Sequence, residues 1–354
     1  MPQNFLEWDT NCYGEKILVF RDLIIPNDNA SIAKNHFLLF TYTRHKVEVK
    51  HSNLGDFIQS IATKSAISTL FPQANFTYFD RDSLTSFHIP AKEGEGNILI
   101  PAVMQGWFAR NSHFIPNNEI LPIFVGTHFT PPIYQFLEYF VIYYPWFFQN
   151  KDIGCRDFET LRFCKDLGLN AYLSRCLTMT LPRRDEVLAK NVNDIFLVNL
   201  AEEYLPYIPQ DIQENAQKVN QRYVDYHSLS EDLYTRSLNL LDDYKKRAKL
   251  VITGALHCAS PCIAMGIPVV LISKDEETIN RFSALKGIVP IWTFEDLKNG
   301  RVNFNPQSVD IESLKKDMLE NLRLSILQEF GESVDMKYLA EIRKTIAEFD
   351  IVNK

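Results

Sequence analysis

The most continuous apolar pattern in the chain extends from Leu250 to Ser273, a run without Asp, Glu, Lys or Arg. Its length is typical of a membrane span, but glycine, serine and proline interrupt it repeatedly. The run therefore predicts a strand at Leu250–Thr253, a helix at His257–Met265 and a second strand at Val269–Ile272. Strands this apolar are covered on both faces, as in the parallel sheets of α/β proteins.

The same reading of the pattern predicts further elements along the chain. Asp56 is predicted to cap a helix in a capping box with Gln59, and Gly168 is predicted to end a helix at Asp157–Leu167. The sequence PNDN predicts a turn at Pro26–Asn29. Further strands are predicted at Ile17–Phe20, Phe37–Tyr42, Asn97–Pro101, Ile120–Val125, Asp152–Arg156, Asn170–Leu173, Leu177–Thr180 and Ile195–Leu200. Further helices are predicted at Ile133–Phe148, at Glu231–Lys246 and in the tail from Ile311.

Strands and helices alternate on both sides of a polar segment, Leu181–Asp194, which we interpret as a link between domains. This alternation predicts an α/β protein with two doubly wound domains. The chain of 354 residues is long enough for two complete cores. We expect domains at residues 1–185 and 186–310, followed by helices at 311–354 that pack back on the first domain.

Composition excludes several classes of function. Acidic residues outnumber basic ones by 44 to 37, which disfavours binding to nucleic acid through phosphate contacts. The six cysteines are scattered without a CxxC pair, so the sequence predicts free thiols in a reducing cytoplasm and no zinc site. No signal peptide is expected from the first residues, MPQNFLEWDT. The aromatic segment at 133–148 lacks a basic face, so a buried helix is favoured over one at a membrane surface.

Four loops at predicted strand ends or helix starts carry the residues most suited to chemistry: Asn53–Asp56, Gly126–Phe129, Arg156–Asp157 and His257–Ser260. In an α/β protein such loops converge on the ligand cleft. Each also has a structural interpretation. Asp56 could serve only as a helix cap, Arg156 could lie on the surface, and His128 could be a satisfied core residue. His257 lies where a buried strand gives way to a helix, which favours a function.

These loops resemble the polysaccharide pyruvyl transferase family. The longest match is IGCRDFETLRFCKDLGLNAYLSRCLTMTLP at residues 153–182, and NLGDFIQSIA and LLDDYKKRAKLVITGALHCASPCIAMGIPVVLI match in the same order. FDRDSL, and QGWFA followed by ILPIFVGTHF, resemble the next segments of a bacterial branch of the family. RFSALKGIVP matches more loosely, so the resemblance spans residues 53–290. It implies two Rossmann-like domains facing a cleft, as in GT-B glycosyltransferases, with the acceptor on the first domain and the donor on the second.

The resemblance also implies a reaction, the transfer of a pyruvyl group from phosphoenolpyruvate to two sugar hydroxyls to give a cyclic ketal. Arg156 and His257 match residues that the family uses around phosphoenolpyruvate. The family usually has Arg before its Leu-His pair, whereas this chain has Ala255. Two alternatives stay open: Arg281 or Lys274 substitutes for that arginine, or the donor differs from the family's. A histidine suits the protonation of the donor, and a carboxylate such as Asp56 suits the acceptor hydroxyl.

The predicted site is therefore a set of ten residues. The catalytic candidates are His257, Asp56 and His128, and the substrate-binding candidates are Arg156, Arg281, Lys274, Asn53, Gly55, Cys258 and Ser260. No metal and no cofactor are expected beyond phosphoenolpyruvate as donor. The expected acceptor is a lipid-linked sugar of capsule or exopolysaccharide synthesis, met in the cytoplasm or peripherally at the inner membrane face. A nucleotide-sugar glycosyltransferase and a non-catalytic glycan-binding protein stay open as alternatives.

Overall fold

A computed structural model describes residues 6–10, 16–20, 30–42, 52–88, 98–108, 114–143, 147–223 and 229–352. The predicted turn at Pro26–Asn29, and Cys12, lie outside these ranges. The strands are β1 (Leu6–Thr10), β2 (Lys16–Phe20), β3 (Ser31–Ile32), β4 (His36–Thr41), β5 (Ser52–Asn53), β6 (Asn75–Asp80), β7 (Ile98–Val103), β8 (Gly106–Phe108), β9 (Ile120–Ile123), β10 (Thr127–Phe129), β11 (Ile153–Cys155), β12 (Ala171–Leu173), β13 (Asp194–Val198), β14 (Ala216–Val219), β15 (Arg222–Tyr223), β16 (Ala248–Thr253), β17 (Val269–Ser273) and β18 (Ile291–Thr293).

Helices alternate with these strands. The α-helices are α1 (Leu54–Leu70), α2 (Tyr134–Tyr143), α3 (Phe158–Asp166), α4 (Glu186–Lys190), α5 (Gln210–Asn215), α6 (Ser230–Arg247), α7 (Leu256–Ala264), α8 (Glu276–Ile279), α9 (Phe294–Lys298), α10 (Glu312–Glu329) and α11 (Met336–Glu348). Short 3₁₀ helices lie at Arg81–Ser86, Pro131–Ile133, Leu177–Thr180, Glu202–Tyr207 and Asn280–Leu285. Among the helices described, none is both long enough and apolar enough to cross a bilayer.

The second half of the chain builds a five-stranded parallel sheet, here called the C-terminal sheet. Its strands lie in the order β14-β13-β16-β17-β18. Counted along the chain this is the doubly wound order 2-1-3-4-5, in which the order reverses between β13 and β16. The strand β17 is buried along its whole length, as expected for a strand covered on both faces.

The first half builds two further parallel sheets. The N-terminal sheet has the order β3-β7-β4-β6, with β9 also paired to β7. The small sheet has the order β12-β11-β10-β8. The predicted α/β class with parallel sheets is therefore confirmed. A two-residue antiparallel ribbon, β15 with β5, joins the two halves, and Arg222 lies opposite Asn53 in it.

The largest hydrophobic core includes residues from both halves of the chain. Helix α1 packs against α6, α7 and the 3₁₀ helix Leu177–Thr180. Its buried Ile58 and Ile67 share a cluster with Val251 and Cys262. Because α1 begins at the ribbon, this packing fixes the start of α1 relative to the C-terminal sheet.

The last two helices pack against elements of the first half. In α11, Arg343 donates to Asp152, which precedes β11. Lys151 forms an ion pair with Glu329 at the end of α10. The guanidinium of Arg175, which is almost fully buried, donates to the carbonyl oxygens of Ile346, Phe349, Ala284 and Lys286 at 2.8–3.0 Å. These bonds join the end of the described chain to the 3₁₀ helix Asn280–Leu285.

Two predictions of local structure are wrong. Leu177–Thr180 is a 3₁₀ helix and not a strand, because side chains take up its backbone groups: the Thr180 hydroxyl donates to the Leu177 carbonyl, and the Gln105 side chain accepts from the Leu177 N–H. The first helix is capped by Asn53 and not by Asp56, which lies in its first turn. The polar segment 181–194 contains α4, which Asp185 caps.

Candidate active site

A cavity of about 890 Å³ opens between the carboxyl ends of the C-terminal sheet and those of the small sheet. Trp107 of β8, His128 of β10 and Arg156, directly after β11, line it from the small sheet. The loops that begin at Asn199, after β13, and at Gly254, after β16, line it from the C-terminal sheet. The cavity thus lies where the strand order of the C-terminal sheet reverses, which is where doubly wound sheets bind ligands.

The sides of the cavity are formed by separate parts of the chain. The N-terminal wall comprises the cavity-lining residues of the first half: Asn53, Gly55, Asp56, Trp107, His128 and Arg156. The C-terminal wall comprises the cavity-lining residues from Leu197 onward. Seven of the ten predicted residues line this one cavity: Asn53, Gly55, Asp56, His128, Arg156, His257 and Arg281. The convergence of loops expected from the sequence is therefore observed.

His257 lies in the first turn of α7, directly beyond β16. The hydroxyl of Thr253 accepts from the N–H of Ala255 at 3.0 Å, which fixes the turn between strand and helix. The Nε2 atom of His257 is buried and has no hydrogen-bond partner among the described residues. A buried polar atom without a partner is costly in a folded protein. A ligand that bonds to Nε2 would remove that cost.

The surroundings of His257 keep its ring neutral. Burial is the main cause that holds the pKa of His257 well below its ordinary value of 6.5, and the charges of Arg156, Arg281 and Arg222 act in the same direction. A neutral imidazole can accept a proton but cannot donate one as an acid. An anion bound beside these arginines would offset their charge and raise the pKa of His257.

Gly55 explains how α1 and α7 approach each other so closely. A Cβ atom at this position would lie 3.1 Å from the Cβ of His257 and 3.1 Å from Oδ1 of Asn53. That Oδ1 accepts from the Gly55 N–H at 3.1 Å as the cap of α1. Asn53 and Gly55 therefore set the distance between the N-terminal wall and His257, and Asp56 follows in the first turn, almost fully buried.

His128, Asp157 and Arg156 form a buried cluster. Oδ2 of Asp157 lies 2.6 Å from Nδ1 of His128 and 3.2 Å from Nε of Arg156. The other carboxylate oxygen caps α3 by accepting from the Thr160 N–H. Burial and the charge of Arg156 lower the pKa of His128 to about 4. Burial raises the pKa of Asp157, but His128 and Arg156 outweigh it and hold that pKa well below 3.8. The cluster is thus an ionised carboxylate with a neutral imidazole and a guanidinium.

Three predicted residues do not reach the cavity. Cys258 and Ser260 are fully buried on the core side of α7, where the Ser260 hydroxyl lies 2.6 Å from that of Thr178. Lys274 follows β17, is exposed and does not line the cavity. The cause is geometric, since α7 turns these side chains toward the core and β17 ends one strand beyond the point where the strand order reverses. The structure therefore places these three residues outside the cavity, away from the other seven.

The sequence did not single out several residues that the structure brings to the site. The sequence places Asp157 at a helix start and in the Arg156–Asp157 loop but assigns it no role of its own, although an acidic residue directly after an arginine at a strand end is a usable signal. Trp107 lies in QGWF, shortly after a predicted strand, and this position is a weaker signal for a site residue. Arg222 lies in a segment without periodicity, and nothing in the sequence placed it opposite Asn53. Among the described residues, no group of three His, Cys, Asp or Glu side chains could hold a metal ion.

Comparison with known proteins gives a family match over most of these elements. The family described as polysaccharide pyruvyl transferase matches residues 53–276. No curated protein matches the chain. A crystal structure of a functionally uncharacterised protein from Klebsiella pneumoniae is similar at 11% identity, over 71% of this chain and 90% of that one, with a TM-score of 0.39. A likeness at that score carries no argument about this chain.

Proposed function

The chain belongs to the polysaccharide pyruvyl transferase family, and from that premise we propose that it transfers a pyruvyl group from phosphoenolpyruvate to two hydroxyls of a sugar. The observation that carries the proposal is that one cavity is lined both by Arg156 and by His257, whose Nε2 has no hydrogen-bond partner among the described residues. Phosphoenolpyruvate is small and carries a phosphate and a carboxylate. Such a donor needs fixed positive charge and one group that moves a proton.

The proposed chemistry balances without a metal or a redox partner. A sugar hydroxyl adds to the central carbon of the donor while the methylene carbon gains a proton from His257. Phosphate then leaves, and the second hydroxyl attacks the oxocarbenium-like centre to close the ketal. Of the two hydroxyl protons, one replaces the proton given by His257 and the other leaves with phosphate. Asp56 is the proposed acceptor of the first hydroxyl proton, because it is the carboxylate of the N-terminal wall.

The pKa of His257 gives this scheme an order of events. Without an anion beside it the ring favours its neutral form, which is a poor acid, because burial and the neighbouring arginines hold the pKa of His257 well below 6.5. Binding of a multiply charged anion next to the arginines raises its pKa and favours the imidazolium form. In this scheme the imidazolium acid forms when the donor binds. The site then avoids the free-energy cost of a buried charge without a counter-ion.

We also propose that two Rossmann-like domains face this cavity in the GT-B manner. Residues 1–185 would carry the acceptor, residues 186–310 would hold the donor, and residues 311–354 would complete the first domain. The position of the cavity between the small sheet and the C-terminal sheet supports this arrangement. The bond from Arg343 to Asp152 supports the assignment of the last helices.

The acceptor proposed here is a lipid-linked sugar in capsule or exopolysaccharide synthesis, reached in the cytoplasm or at the inner membrane face. Its support is the polysaccharide named by the family and a cavity much larger than the donor. The test incubates the protein with phosphoenolpyruvate and a panel of lipid-linked sugars. Phosphate release and a mass gain of one pyruvyl ketal are expected. Nucleotide release from nucleotide sugars instead would indicate a glycosyltransferase, and donor binding without turnover on any acceptor would indicate a binding protein.

A further inference from the structure

Arg222 is held at the seam between the two walls. Its backbone pairs with Asn53 in the β15–β5 ribbon. The residue before it is fixed twice: the Leu54 N–H donates to the Gln221 carbonyl at 2.9 Å, and the Gln221 N–H donates to Oδ1 of Asn199 at 2.7 Å. Asn199 itself ends β13 in a left-handed conformation, with φ of 51°. A fixed backbone thus presents an exposed guanidinium to the cavity.

The charge on the walls is unbalanced. The cavity lining has more basic than acidic side chains. The basic ones are Arg156, Lys218, Arg222 and Arg281, and the acidic ones are Asp56 and Glu202. Arg156 is already bonded to Asp157, a neighbour behind the wall. Within the described ranges, no carboxylate lies at ion-pair distance from Arg222 or Arg281. The charge of Glu159 offsets part of the positive charge at Arg281. The guanidinium groups of Arg222 and Arg281 still repel each other, and an anion between them would reduce that repulsion.

The positive charge of Arg222 lowers the pKa values of two other groups that line the cavity, Arg281 and His257. Burial lowers the pKa of Arg281, and the charge of Arg222 is the next largest cause, ahead of that of Arg156. Arg222 also acts on the pKa of His257. These side chains therefore share one electrostatic environment. Ala255, at the start of α7, lines the same region with a methyl group and no charge.

We propose that Arg222 and Arg281 form a clamp for one acidic group of the donor, while Arg156 holds the other, and that Arg222 determines the preference for a doubly acidic donor. The clamp deepens the proposed function and rests on it for the identity of the donor. A planar guanidinium pair suits phosphate or carboxylate oxygens, because each offers two parallel N–H donors.

The test measures binding of inorganic phosphate, and separately of phosphoenolpyruvate, by calorimetry to the wild-type protein and to R222Q and R222K. We expect R222Q to weaken phosphate binding about tenfold or more, since it removes a charge-assisted hydrogen-bond donor to the anion. R222K should recover part of the loss, because lysine keeps the charge but not the fork. The control is R247Q, which removes an exposed arginine that pairs with Asp194 outside the cavity; it should bind phosphate as the wild type does.

A second measurement checks the placement of Arg222 without any ligand. Titration of His257 by NMR in phosphate-free buffer should show a higher pKa in R222Q than in the wild type, and no change in R247Q. Unchanged phosphate affinity in a folded R222Q protein would overturn the clamp. If R222Q weakens phosphate binding but the wild-type protein turns over no phosphoenolpyruvate with any acceptor, the clamp stands and the proposed donor is wrong.

Discussion

The two walls of the cavity differ in whether their buried and charged side chains have bonding partners among the described residues. In the N-terminal wall, Arg156 and His128 both bond to the carboxylate of Asp157. In the C-terminal wall, His257 keeps a buried Nε2 without a partner among the described residues, and Arg222 and Arg281 repel each other. Arg156 and His128 therefore have a carboxylate partner within the protein. Within the described ranges, Nε2 of His257 has no hydrogen-bond partner, and neither Arg222 nor Arg281 has a carboxylate at ion-pair distance.

This difference divides the work of the site. A wall whose polar groups are already bonded holds its geometry when the cavity is empty, so Arg156 and His128 are positioned in advance. In the proposed function, the C-terminal wall changes its protonation when an anion binds, because that anion raises the pKa of His257. If that proposal holds, one side of the cavity supplies fixed geometry, and the other responds to the bound anion.

The largest expected effect comes from removing the responsive group. H257A should lower kcat by about 10²–10⁴-fold, the usual contribution of general acid catalysis. The melting temperature should change little, because Nε2 of the ring makes no hydrogen bond to any described residue. Phosphate release from phosphoenolpyruvate measures the rate. The matched control is H88A, which removes an exposed histidine paired with Glu119 outside the cavity. Wild-type turnover by H257A would refute its role.

The next effect tests the wall that is internally bonded. D157N leaves the guanidinium of Arg156 buried without a counter-charge, so the free energy of unfolding should fall by about 3 kcal/mol, the low end for a broken buried pair. Urea denaturation measures it. The control D194N removes the carboxylate that pairs with exposed Arg247 and should cost less than about 1 kcal/mol. Equal losses in D157N and D194N would mean that the N-terminal wall is no better bonded than the surface.

The smallest effect is a dependence of stability on pH. His128 has a pKa of about 4 in the folded protein and 6.5 ordinarily, so between these values the unfolded chain binds more protons. The contribution of His128 to the free energy of unfolding is therefore fully present above pH 6.5. It is lost as the pH falls toward 4, so the protein should be about 2 kcal/mol less stable at pH 5. Thermal unfolding at pH 7 and pH 5 measures the loss, which H128N should reduce. The same loss in H128N and wild type would contradict the assignment.

The sequence predicted the parts of the site that follow apolar strands. His257 and Arg156 could be found because each comes directly after a buried strand, and the carboxyl ends of parallel strands meet at one edge. The helix start could be predicted from the local residues alone, and this identified Asn53, Gly55 and Asp56. In each case a short stretch of chain contains the whole signal.

The rest of the site depends on contacts between distant segments. Arg222 reaches the cavity because β15 pairs with β5, which lies far away in the sequence. Cys258 and Ser260 share a helix with His257, yet the direction in which that helix turns them depends on what it packs against. The 3₁₀ helix at 177–180 likewise depends on the side chain of Gln105. No local pattern records such partners.

The buried guanidinium of Arg175 gives the tail of the protein a mechanical role. It fastens the carbonyls of Ile346 and Phe349 to those of Ala284 and Lys286, and the helix it fastens begins at Asn280 and carries Arg281. Through Arg175, the last turn of α11 thus stabilises the 3₁₀ helix that carries Arg281, although no residue of α11 lines the cavity. Removing the residues from Ile346 onward would cut two of the four bonds and loosen the rim from behind.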